Sequence, residues 1–127
     1  MAISILVVED DDSMRLLLSR ILERAGYEVH GVDNGLAALK AVDAGHFHLV
    51  ISDIMMPEVD GLTLVEGLRH HATTRNMPII FVSASEDPVH FAESVSLKAR
   101  HFISKPFNSD KLLKKVASVV GAAGAAR

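Results

Sequence analysis

Hydrophobic and polar positions alternate along this chain in two repeating textures. Short, mostly apolar runs occupy residues 3–8, 47–51, 78–82 and, in a two-residue form, 102–103; the strands read from them are 3–8, 47–52, 78–83 and 100–104, and 27–32 reads as a further, shorter strand. Runs of this kind read as strands covered on both faces, as in a parallel sheet. Between them the apolar residues fall at helical spacing. The first helix, α1, is carried by Met14, Leu17, Leu18, Ile21 and Leu22 and is stopped by Gly26. A second, α2, covers 36–44, with Asn34 as its cap and Gly45 closing it. Leu62, Val65 and Leu68 mark α3, after a loop containing Pro57 and Gly61. Asp87-Pro88 opens α4, a weaker helix reaching about residue 97. Asn108, Ser109 and Asp110 are good caps for α5, which uses Leu112, Leu113, Val116 and Val119. Numbering the strands β1 (3–8), β2 (27–32), β3 (47–52), β4 (78–83) and β5 (100–104) gives strict β–α alternation. That order calls for parallel strands joined by right-handed crossovers, an α/β fold.

The polar residues that interrupt this pattern are the informative ones. Glu9 and Asp10 end β1, Asp53 ends β3, Ser83 ends β4 and Lys105 ends β5. In an open parallel sheet the carboxyl ends of the strands share one edge, and sites are built there. Three carboxylates, a hydroxyl and an ammonium would then meet in one pocket. Oxygen ligands suit a hard divalent cation, with Asp10 ligating directly, Glu9 acting through a water and a backbone carbonyl near Met55 completing the set. Asp53, held at a strand end, is placed to act as a carboxylate nucleophile toward phosphorus. Ser83 offers a donor to one phosphoryl oxygen and Lys105 a point charge to another. Asp11 and Asp12 are read more simply, as caps of α1.

Composition narrows the picture further. The chain has 127 residues, which fits one domain, 1–121, followed by a flexible Gly/Ala tail at 122–127. There is no cysteine, so disulfides and thiolate sites are excluded and a reducing, cytoplasmic setting is expected. The first apolar run ends in four consecutive acids, Glu9 to Asp12, which does not fit a signal peptide, and no run is long enough to span a membrane. The net charge of −3 hides an asymmetry: residues 1–64 carry four Lys/Arg against eleven Asp/Glu, and residues 65–127 carry nine against five. The acidic half points to a cation site. The basic residues Lys98, Arg100, Lys105, Lys111, Lys114 and Lys115 read as a solvated late face rather than a nucleic-acid surface. His46, His48, His70 and His71 read as surface histidines. No glycine-rich phosphate loop follows β1, which disfavours nucleotide binding.

Taken together, Ile5-Leu6-Val7-Val8-Glu9-Asp10-Asp11, Asp53 through Gly61, Ser83-Ala84 and Lys105-Pro106-Phe107 resemble the receiver domain of two-component response regulators, in its stand-alone form. The resemblance covers about residues 3–120. It implies a flavodoxin-like three-layer sandwich with a parallel five-stranded sheet of order 2-1-3-4-5. It implies that Asp53 accepts phosphate from the phosphohistidine of a histidine kinase or histidine phosphotransfer protein. It implies Mg2+ (or Mn2+) held by Glu9, Asp10, Asp53 and the Met55 carbonyl, and a Lys105 that precedes a cis proline. Ser83 and Phe102 would be the switch residues, passing the change to the α4-β5-α5 face for a downstream protein. Neither direct nucleic-acid nor membrane binding is implied, and the chain would be a monomer or a weak phosphorylation-dependent dimer. It would not be an enzyme beyond its own phosphoryl transfer and autodephosphorylation. Two departures stand out: Phe102 lacks the hydroxyl of the commoner Tyr, and Ser83 replaces the commoner Thr. Two other readings fit parts of the pattern, a small Mg-dependent aspartyl-phosphate phosphatase and a receiver-like binding module that is never phosphorylated. Against the phosphatase, Met55 stands where a general acid/base Asp would be needed.

Overall fold

The computed structural model describes residues 3–53, 67, 77–83, 101–104 and 107–125. Its elements are β1 (Ser4–Val8), α1 (Asp12–Arg24), β2 (Glu28–Val32), α2 (Gly35–Ala44), β3 (Leu49–Asp53), β4 (Ile79–Ser83), β5 (His101–Ser104) and α5 (Ser109–Ala125). The segments predicted as α3 and α4 lie outside the described residues, apart from Gly67, which is helical. The five strands form one sheet of order β2-β1-β3-β4-β5, and every pairing is parallel. This is the predicted order, with β1 at the point where the chain reverses its direction of winding.

Alternation along the strands sorts the core into two layers. Leu6, Val8, Val50, Ile79 and Phe81 pack with Ala38 and Val42 of α2. Ile5, Val7, Ile51, Ile80, Val82 and Ile103 pack on the other side with Leu18 and Leu22 of α1 and Leu112, Val116, Val119 and Val120 of α5. Both faces of β1, β3 and β4 are therefore covered, which is why these strands are mostly apolar, with their polar residues at the ends. The edge strand β2 is exposed at Glu28, His30 and Gly31 and shows no such run.

The helix ends form as their residues dictate. The Asp11 carboxylate accepts from the Met14 amide at 2.9 Å, Asn34 from Ala37 at 2.7 Å and Asn108 from Lys111 at 2.8 Å. Each satisfies an amide that the first helical turn leaves without a carbonyl. Gly26 ends α1 with φ +98°, a left-handed conformation that a side chain would resist.

Several boundaries differ from the sequence pattern. The strands start one or two residues later than the sequence pattern places them, because ladder pairing begins only where a neighbouring strand is in register. Pro78 precedes β4 and has no N–H to give the ladder, although its carbonyl already accepts from the Val50 amide at 3.1 Å. Helix α5 runs to Ala125, four residues into the segment assigned to the tail. Alanine is the strongest helix former and offsets the glycines at 121 and 124.

Candidate functional site at the carboxyl edge of the sheet

The strand register brings the backbones of Glu9, Asp53 and Ser83 to one edge. Val8, the last residue of β1, pairs with Ser52, so Glu9 leaves β1 level with Asp53. Asp53 ends β3 opposite Val82, and Ser83 is the next residue of β4. Ser83 in turn pairs with Ser104, the last residue of β5. Phe102 lies deeper in β5, paired with Phe81. Lys105, Pro106 and Met55, together with the basic residues Lys98 and Arg100, lie outside the described residues.

Glu9 is buried, 1% exposed, although it carries a carboxylate. Its backbone is held from both sides: its N–H donates to the Val32 carbonyl at 3.0 Å, and its carbonyl accepts from Arg15 Nη1 at 2.9 Å. Its side chain is engaged as well, with Oε2 accepting from the Asp11 amide at 3.3 Å. Asp10, the next residue, is exposed, and among the described residues no hydrogen bond holds its carboxylate. Asp11 faces the helix instead, through its cap on Met14, and Asp12 pairs with Arg15. Four consecutive acids thus divide into two that sit at the strand end and two that serve α1. Asp11 is the cap that the sequence predicts, whereas Asp12, read as a second cap, is the first residue of the helix and pairs with Arg15 instead. The sequence reading missed Arg15, whose one visible signal is its position four residues after Asp11, a helical turn away.

The acids at this edge are all hard oxygen donors, the chemistry that magnesium takes. Among the described residues no three ligating side chains are gathered, so a cation here would need ligands from the β3 end as well. The histidines offer no alternative centre there: His46 is exposed, and His48 Nδ1 accepts from the Ser4 amide at 3.1 Å as part of the β1–β3 pairing. His70 and His71 lie outside the described residues. On α5, Lys111 and Lys114 are exposed and Lys115 is half-buried.

Comparison with known proteins identifies the family. Residues 5–117 match the response regulator receiver domain family. The chain is 35% identical to the transcriptional regulatory protein GltR of Pseudomonas aeruginosa over 117 residues, covering 92% of this chain and 48% of GltR. It is 32% identical to the transcriptional regulatory protein SrrA of Staphylococcus aureus over 120 residues, covering 94% of this chain and 48% of SrrA. It spans about half the length of these curated relatives. Among solved structures, the chemotaxis protein CheY4 of Vibrio cholerae superposes with a TM-score of 0.88 at 31% identity, covering 94% of this chain and 99% of CheY4. The receiver domain of a signal transduction histidine kinase from Syntrophus aciditrophicus gives a TM-score of 0.85 at 33% identity, covering 95% and 92% of the two chains. The chain belongs to the response regulator receiver domain family, the phosphoacceptor modules of two-component signalling. Receiver domains are phosphorylated by histidine kinases, generally use Mg2+ in an acidic pocket, and are signalling modules rather than enzymes. They are typically cytoplasmic, and among the described residues no helix is long and apolar enough to cross a membrane.

Proposed function

We propose that Asp53 is the phosphoacceptor of this receiver domain, charged by a histidine kinase or histidine phosphotransfer protein in the cytoplasm. A carboxylate oxygen of Asp53 forms the new bond to phosphorus. The P–N bond to the donor histidine breaks, and its electron pair returns to the imidazole nitrogen. Ser83 donates to a phosphoryl oxygen and Lys105 places its ammonium against another. Glu9, Asp10, Asp53 and the Met55 carbonyl would hold Mg2+ or Mn2+, which when bound neutralises charge on the transferring group. The acceptor unit is residues 1–121, and its only catalysis is its own phosphorylation and autodephosphorylation. The signal leaves through Ser83 and Phe102 to the α4-β5-α5 face, where a protein partner binds, with the domain monomeric or weakly dimeric and without nucleic-acid or membrane contact.

One observation carries this reading. The β1–β3–β4 register sets the acid pair after Val8, the Asp53 backbone and the Ser83 backbone side by side at one sheet edge. Incubation with acetyl phosphate and Mg2+, followed by intact mass measurement, tests it. The wild-type chain gains one phosphoryl group, and neither Asp53→Asn nor the wild type in EDTA does. Phosphorylation of Asp53→Asn, or steady phosphate release from small phosphomonoesters, refutes the assignment.

A further inference from the structure

We propose that Arg15 is a positioning residue for the cation site, bracing the β1–α1 turn so that Glu9 and Asp10 are presented at fixed positions. The inference rests on the reading of Glu9 and Asp10 as ligands.

Three observations on Arg15 converge. Its Nη1 donates to the Glu9 carbonyl at 2.9 Å, and its Nη2 pairs with the Asp12 carboxylate. One guanidinium therefore ties the strand end to the first turn of α1, across the residues that carry the acid pair. Its stem runs over Gly31 of the neighbouring strand β2, where a Cβ would stand 3.3 Å from Arg15 Cγ and 3.4 Å from Cδ. The glycine leaves a slot for that stem. The side chain is only 25% exposed, although Asp12 is 89% exposed. The planar fork of arginine suits this double contact, which a lysine ammonium would make only in part. The Glu9 N–H is already fixed by Val32, so the arginine completes the restraint at the other end of the same residue. Removing a group that orients a metal ligand typically costs roughly 10–100-fold in metal affinity.

Electrostatics alone predicts the opposite of this role. A guanidinium beside a dication site repels the dication, so its removal should tighten binding. Bracing predicts that removal loosens binding. Calorimetric titration of the full chain with Mg2+ separates the two, with circular dichroism melts as the folding control. Arg15→Met is expected to weaken Mg2+ binding by about tenfold or more, and Arg15→Lys to recover part of the loss. The Asp11 amide, which donates to Glu9, should lose hydrogen-exchange protection in Arg15→Met without metal. Gly31→Val fills the slot, changes no charge and should also weaken binding. Equal or tighter binding by a folded Arg15→Met overturns the proposal. Should that variant fail to fold, Gly31→Val decides, and an unchanged affinity overturns it. A wild-type chain that binds no Mg2+ removes the cation site itself, and this inference with it.

Discussion

Neighbouring acids at 10 and 11 should respond to substitution in opposite ways, because the fold gives them different work. The Asp11 carboxylate caps α1 through the Met14 amide at 2.9 Å. Removing such a cap costs about 1 kcal/mol. For a chain of this length that lowers Tm by about 4 °C. The Asp10 carboxylate is exposed and, among the described residues, makes no hydrogen bond. Asp10→Asn should therefore leave metal-free stability within about 0.5 kcal/mol of wild type. Magnesium reverses the ranking. At about 100 times its dissociation constant, a ligand bound only by the folded state adds about 2.7 kcal/mol, or about 10 °C in Tm. Asp11→Ala should retain that increment above its lowered baseline, and Asp10→Asn should lose it. Thermal melts of the two variants and the wild type, in EDTA and in Mg2+, read both effects in one experiment. If Asp11→Ala loses the magnesium increment while Asp10→Asn keeps it, the assignment of cap and ligand is wrong.

Other outcomes follow from the same structure. Ser83→Ala should still be phosphorylated at Asp53, but phosphate-dependent NMR shifts on the α4-β5-α5 face should shrink; identical shifts would remove Ser83 from the switch. Leu112, fully buried between α5 and the sheet, should cost about 2–5 kcal/mol on replacement by Ala in urea unfolding. Gly26→Ala should cost about 1–2 kcal/mol from backbone strain alone, since a Cβ there would meet no atom within 4 Å. A neutral Gly26→Ala would contradict the left-handed helix end.

Most of the architecture was legible because it rests on local rules. The mostly apolar β1, β3 and β4 announce a sheet covered on both faces, and Asp11, Asn34 and Asn108 announce helix starts through short side chains that accept from the first turn. Boundaries were less legible. A mostly apolar run at 47–51 says which residues avoid water, whereas β3 begins at Leu49 because ladder bonds need a partner in register. Composition likewise marked 122–127 as a tail, although helix α5 continues to Ala125.

By itself, the sequence determined the order of the described elements, the burial of their apolar faces and the chemical types available at each strand end, since all three depend on neighbours a few residues away. Only the tertiary structure decided that Val8 stands opposite Ser52 and Asp53 opposite Val82, and so that the acids after β1 share an edge with the end of β3. Tertiary packing alone also laid Arg15 across Gly31 onto the Glu9 carbonyl. The physical reason is that register and cross-strand contact join residues distant along the chain, and their free energy depends on which surfaces meet, information that no local pattern of residues carries.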